Sequence, residues 1–399
     1  MDHAAATPLD PRVKEAMEPY WSTVFGNPSA IHQEGVAARA AVEHSRRRIA
    51  DAFGVHADEI VFTGSATESA NLALIGAVWA WKAAHPGCMP HVVVSAIEHA
   101  AVLSAADQLE TQGVRVTRIP VDTEGVVVLD ALKGALSPDT VVVSVMHANN
   151  EIGTIQPIAE IAKVIRNWKR EVRGVARDVK TTGDDRYPLL HTDAAQTVGF
   201  LPERIPALGV DLLTFSGAKI GGPKGIGALV VLRETPLSPM TFGGGQERGV
   251  RAGTENVPLI VGLAEALFFA RAEASLESVR LAAIRDRLMS ALESDFPDCI
   301  VNGSKTLRLP NNVSVTFPDL DHEFLTLALD ARGIAVSTKS ACNEWDAETS
   351  HVLLALREAS GGSAAPSALR LSFGKMTTDA HADRFLALLR EVLPLAHPS

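Results

Sequence analysis

The chain has 399 residues, 46% apolar and 21% charged, the balance of a globular protein with room for more than one core. Its formal net charge of −10 argues against a nucleic-acid-binding surface, and no apolar run approaches the ~18 residues of a membrane span. The opening MDHAAATPLD has neither the basic start nor the apolar stretch of a secretory signal. Cys88, Cys299 and Cys342 are widely spaced and odd in number, which fits neither a disulfide framework nor a zinc site and points to a reducing, cytoplasmic setting.

After a short extended segment, DHAAATPLDPRV, the spacing of Val36, Ala40, Ile49 and Phe53 predicts a helix between Pro28 and Gly54. Strands and helices then alternate. EIVFT (59–63) reads as a strand leading into GSATES and a helix through Leu72, Ile75 and Val78. HVVVS (91–95) leads into IEHAAVLSAADQLETQG, and TVVVSVM (140–146) into HANNEIG and a helix over 158–168. LLHT (189–192) leads into DAAQT. The run Val210 to Phe215 leads into Ser-Gly-Ala-Lys219, a glycine-rich turn and a second apolar run at 228–232. Continuous β-branched runs separated by helices predict a mostly parallel sheet covered on both faces.

Residues 171–188 lack apolar periodicity and read as a surface loop. A long helical pattern then runs from Val257 to Phe296. Beyond it come NNVSVTF, HEFLTLALDARG, the strand-like IAVST, HVLLALREA, LRLSFG and a last helix through 386–392, with ASGGSAAPS (359–367) as a connector. The predicted fold class is α/β. A large domain spans 16–260; a smaller α+β domain spans 261–399 with the N-terminal 1–15, and it carries the polar loop KSACNEWDAETS around Cys342.

The polar residues of interest fall just past strand ends: Gly64 to Glu68, His99, Asn149 and Asn150, Asp193 and Gln196, and Lys219. Ligands of open α/β sheets bind along that edge. Each residue type suits one part of a pyridoxal phosphate site. Gly64-Ser65-Ala66-Thr67 opens a helix whose N–H groups and Thr67 hydroxyl can hold a phosphate. Asp193 can pair with a protonated pyridine nitrogen, and His99 can stack on the ring and move protons near neutral pH. Lys219, desolvated at a buried strand end, can condense with an aldehyde. Singly, these are a capped helix start, a helix-start histidine, an N-cap aspartate and a surface lysine. Jointly, the cofactor reading outweighs them.

FTGSATESANLAL, AIEHAAV, VMHANNEIG, HTDAAQTVG, FSGAKIGGPKGIGAL, GGGQERGVRAGTENV, KSACNEW and LRLSFG together resemble, in order and over nearly the whole chain, the motifs of cysteine desulfurases of the class-V aminotransferase group. The resemblance implies a fold-type I pyridoxal-phosphate homodimer that takes sulfur from L-cysteine, leaves L-alanine, and passes an enzyme persulfide to an acceptor protein. That acceptor would be an iron–sulfur scaffold or a carrier for thio-cofactor or tRNA thiolation. It assigns Schiff-base formation to Lys219, ring stacking to His99, the pyridine nitrogen to Asp193, and the ring hydroxyl to Gln196 with Asn150 close by. Phosphate contacts fall on Ala66, Thr67, Ser216 and, from the partner subunit, Thr254. Arg370 would bind the substrate carboxylate with Asn150 near it, and Cys342 would be the nucleophile.

A bidentate guanidinium suits a carboxylate, and Lys339 beside the exposed Cys342 would favour a thiolate. Cys88 and Cys299 lie away from every motif and read as inert. Ala218 stands where the family usually has histidine, which removes one phosphate contact. The segment 171–188 exceeds the usual turn, the chain stops soon after its last helix, and Met1 falls inside the usual first strand motif. Two other readings stay open: selenocysteine lyase or another class-V reaction, and a scaffold homologue impaired in catalysis.

Overall fold

The computed structural model describes residues 1–174, 183–201, 204–318, 320–338, 350–362 and 367–396. The strands are β1 Ile60–Thr63, β2 His91–Ser95, β3 Arg115–Ile119, β4 Thr140–Ser144, β5 Leu189–Asp193, β6 Leu212–Ser216, β7 Gly227–Val231, β8 Ile300–Val301, β9 Asn312–Thr316 and β10 Leu369–Ser372. The first seven form one sheet in the order β1-β7-β6-β5-β4-β2-β3. Strands β2 to β6 are parallel, whereas β7 runs antiparallel to both β6 and β1. The five strands that end in polar motifs therefore point one way and deliver those motifs to one edge.

Both faces of the sheet are buried, which is why its central strands carry apolar residues facing both sides. Val93, Val143, Leu213 and Phe215 pack on one face with Phe53 of the helix Gln33–Phe53 and with the first part of the helix Val257–Asp295. The Phe53 and Phe215 rings meet at 5.2 Å. Val92, Val94, Val142 and Leu212 pack on the other face with Ala70 and Leu72, and with Val102 of the helix Ala100–Thr111. A third core joins Leu281, Ile284 and Leu288, from the second part of the 39-residue helix, to β9, β10 and Phe385. One long helix thus belongs to two cores, and it fixes the three-stranded sheet β10-β9-β8 against the larger one.

Three sequence expectations change. Strand β3 was not anticipated; it is an edge strand with Arg115 and Arg118 exposed, so it lacks the continuous apolar run of its neighbours. IAVST is not a strand among the described residues. Ser337 makes a single bridge to Arg370, and Ile334 and Val336 are apolar because they pack into the third core. The helix expected over 158–168 continues to Arg173 and stops at Gly174, whose φ of 68° favours glycine. It takes up the start of the predicted 171–188 loop; residues 175–182 lie outside the described residues. The cysteine-bearing segment 339–349 and residues 363–366 of the predicted connector also lie outside them.

Candidate active site

Strand β6 ends at Ser216, and a 3₁₀ turn, Gly217–Lys219, brings Lys219 back over the sheet edge. The turn needs glycine at 217, since a Cβ there would sit 2.7 Å from the Pro223 carbonyl oxygen. The N-terminal segment crosses above. Lys219 Nζ donates to the Ala5 carbonyl at 2.5 Å, and the Thr7 N–H and hydroxyl both donate to the Ala218 carbonyl. Nothing in the sequence beyond an extended character signalled that this segment roofs the site.

GSATES is at once a capped helix start and an open cradle. Ser65 caps the helix Ala66–Asn71 by accepting from the Glu68 N–H, while Glu68 Oε2 accepts from the Gly64 N–H at 2.6 Å. The capping leaves the first-turn N–H groups of Ala66 and Thr67 beside Ser216, at the positive end of a helix that continues through a π turn, Leu72–Gly76. Gly227 of β7 passes directly beneath, where a Cβ would come within 2.5 Å of the Ser65 backbone.

Asp193 closes β5. It is buried, and its hydrogen bond is from the Ala195 N–H at 2.9 Å. Burial pushes its carboxyl above the usual range, while His99 and Lys219 pull it down. A buried acid with so little compensation is suited to a cationic partner in the cavity, which a protonated pyridine nitrogen supplies. His99 caps the helix Ala100–Thr111, its Nδ1 accepting from the Ala101 N–H at 3.1 Å, so the ring is held at the cavity wall. Gln196 Nε2 donates to the Ala4 carbonyl. On β10, Arg370 is buried; Nη1 donates to the Asn150 carbonyl at 3.1 Å and Nη2 pairs with Asp2 at 2.9 Å, while Nε has no hydrogen-bond partner among the described residues.

These groups line one cavity of about 190 Å³. Ala66, Thr67, His99, Asn150, Asp193, Gln196, Ser216, Lys219 and Arg370 all face it, together with Ala4, Ala5, Met146, Ala148, Gly225 and Ile226, which the sequence reading did not single out. The residues present fit pyridoxal phosphate: a lysine on one wall, an under-compensated buried acid, a histidine, and a backbone cradle that side chains leave open. Thr254 is not brought to this cavity within the chain; it is exposed on the loop after β7. Cys342 lies outside the described residues. A neighbouring cavity of about 290 Å³ shares Gln196 and Lys219, and the N-terminal segment, the long helix and residues 373–376 contribute to its walls.

The glycine-rich GGGQERGVRAGT loop is firmly anchored. Glu247 is buried and takes two hydrogen bonds of 2.7 Å from Arg46 and one of 2.9 Å from the Phe62 N–H. Glu247 and Arg248 both adopt left-handed backbone, at φ 46° and 58°, which non-glycine residues accept only when their surroundings impose it. Neither Arg46 nor Glu247 was foreseen, because their partnership spans 201 positions. Glu247→Ala leaves the buried Arg46 guanidinium only the half-exposed Glu43 and the Ile60 carbonyl, and is expected to lower the unfolding free energy by about 3 kcal/mol. Urea denaturation measures this, and a loss below about 1 kcal/mol would show that the pair does not anchor the loop.

The two described cysteines differ from what the chemistry needs. Burial pushes the Cys299 thiol up to about 12, so it is protonated at neutral pH. Cys88 is exposed and precedes β2, at the amino end of the sheet, a strand length (roughly 15–17 Å) from the cavity. Among the described residues no helix is long and apolar enough to cross a membrane, and no cluster of metal-ligating side chains occurs.

This fold is that of the fold-type I pyridoxal-phosphate enzymes. The class-V aminotransferase model matches residues 1–385, and the chain belongs to that family. Cysteine desulfurase IscS of Dictyoglomus turgidum is 41% identical over 396 residues, covering 98% of this chain and 94% of the relative. The structure of a NifS-like protein superposes with a TM-score of 0.86 at 34% identity, covering 99% of this chain and 98% of the other. That of SspA in complex with cysteine gives 0.76 at 34% identity, with coverage of 93% and 97%. Within the family, this chain is a cysteine desulfurase, and its chemistry depends on pyridoxal phosphate.

Proposed function

We propose that the chain takes the sulfur of L-cysteine through Lys219, His99 and Cys342, leaving L-alanine and a persulfide on Cys342 that an acceptor protein removes. The observation that carries this reading is the convergence of Lys219, Asp193, His99 and Arg370 on one cavity at the carboxyl ends of the strands. Ala66, Thr67 and Ser216 hold the phosphate, Asp193 the ring nitrogen and Gln196 with Asn150 the ring hydroxyl. Bound there, pyridoxal phosphate takes up the electron pair left when the substrate Cα–H bond breaks. Arg370 orients the substrate by its carboxylate; Lys219 moves the Cα proton, and His99 shuttles protons at the ring face. The Cys342 thiolate attacks the substrate Sγ, so an S–S bond forms as the Cβ–Sγ bond breaks; the pair of that bond stays on the carbon side, where Cβ takes up a proton and becomes the methyl of alanine. Ala218 leaves the phosphate one contact short of the family pattern. Cysteine supplied with a thiol reductant should give sulfide and alanine in equal amounts; keto-acid formation in their place would favour the aminotransferase reading.

Two lobes, 16–260 and 261–399 with 1–15, would frame the cavity, a division supported by the separate core around Leu288 and Phe385. The anchored loop bearing Thr254 supports a two-fold homodimer in which Thr254 completes the partner's phosphate site. Sedimentation of the loaded enzyme should therefore give a dimer. A monomer with full cofactor occupancy would rule out the shared site. The acceptor is an iron–sulfur scaffold or a sulfur carrier of a thiolation pathway, in the cytoplasm; pull-down with purified candidates separates these.

A further inference from the structure

Glu98, one residue before His99, has no part in the chemistry above. Its side chain is fully buried in the turn between β2 and the helix Ala100–Thr111. Oε1 accepts from the Ser95 hydroxyl at 2.5 Å and from the Met146 N–H at 2.7 Å, tying that turn to the end of β4. Asn149 braces the same turn by donating to the Ile97 carbonyl at 2.8 Å. Oε2 is buried, with no hydrogen bond of ordinary geometry among the described residues.

The charged and titratable groups around this carboxyl give it no cation. Asp193 faces it from β5 and is another acid. Ser144 faces it from β4, and its hydroxyl lies 2.8 Å from Nδ1 of His191 on β5, whose Nε2 lies 3.0 Å from the Thr214 hydroxyl on β6. Burial pushes His191 down to about 3, so it is neutral at physiological pH. From the helix His351–Ser360, His351 Nε2 meets the Glu98 backbone carbonyl at 2.9 Å rather than the carboxyl. An ionised Glu98 would set a carboxylate without a cation in the interior beside Asp193, whereas a neutral acid avoids that cost.

We propose that Glu98 is a positioning residue that works as a neutral acid: it clamps the turn of His99 to β4 and leaves Asp193 as the negative charge beneath the cofactor. This rests on the roles given above to Asp193 and His99. Burial pushes the Glu98 carboxyl from the ordinary 4.5 up to about 8, against the hydrogen bonds from Ser95, Met146 and Ser144 and with Asp193 adding to the rise. The sign follows. Between about 4.5 and 8 the folded protein holds a proton that the unfolded chain has lost, so this group's contribution to stability falls as pH rises through that window.

Glu98→Gln keeps the acceptor and cannot ionise. Its melting temperature should gain on the wild type as pH rises from 5 to 8.5, and the alkaline arm of its kcat/KM profile should move upward. Glu98→Ala should lose turnover by about tenfold at pH 7, a loss that Glu98→Gln restores. A melting-temperature gap that does not change with pH, together with superposed profiles, would overturn the proposal. Should Glu98→Gln not fold, infrared spectra of wild-type holoenzyme carrying ¹³C-carboxyl glutamate decide. A protonated-carboxyl band at pH 6.5, lost near pH 8, is expected; its absence at pH 6.5 overturns the proposal. Neither the melting nor the infrared readout depends on turnover, so the proposal can fail while the desulfurase chemistry stands.

Discussion

Lys219→Ala is expected to abolish the visible absorbance of bound cofactor and to lower cysteine turnover by on the order of a thousandfold or more, while far-ultraviolet circular dichroism stays that of the wild type. The fold should tolerate the change. Lys219 ends a short turn at the mouth of the cavity; its side chain is half-buried, and the turn is held by backbone bonds, such as that from the Gly217 N–H to the Ile226 carbonyl. Packing under the turn comes from Phe215 and Phe53, which the substitution leaves alone. What disappears is the Lys219 amine at the meeting point of Asp193, His99 and the helix-start cradle. Full turnover in the variant would mean that the cavity is not where the chemistry occurs.

Cys342→Ala is expected to bind cysteine, with the accompanying spectral change, yet transfer almost no sulfur. A nucleophile for this reaction has to reach the substrate Sγ and then carry the persulfide out to an acceptor, two positions that a rigid strand cannot serve and a loop can. Of the other cysteines, Cys299 is held protonated by burial and Cys88 sits at the wrong end of the sheet. Cys88→Ala and Cys299→Ala should each retain near wild-type transfer. Sulfur transfer that survives Cys342→Ala but falls with either of the others would move the nucleophile.

The large sheet was legible because its central strands are buried on both faces and so carry short runs of consecutive apolar residues, each followed by polar residues that a ligand edge requires. Lys219, Asp193 and His99 could be picked out by that rule alone. The rule depends on continuous burial, and it fails where burial is partial, as in β3 with its exposed arginines. It also misreads apolar residues that pack without pairing, as in Ile334 and Val336. Long-range features left no local mark. The N-terminal segment reaches Lys219 through a backbone carbonyl 214 positions away, which any residue type provides. Arg46 and Glu247 look like ordinary surface charges until the fold buries them against each other. Glu98 was in plain view inside AIEHAAV, yet only the fold shows that its carboxyl is enclosed beside a second acid. Thr254 fell in a motif but does not line the cavity, and its place in a partner's site belongs to the proposed dimer.

The most direct test is a single turnover of holoenzyme with ³⁴S-labelled L-cysteine, followed by alkylation and peptide mass spectrometry. The account predicts one labelled persulfide per active site on the Cys342 peptide, with one equivalent of alanine released. Label on Cys88 or Cys299, or alanine formed with no protein-bound sulfur, would contradict it.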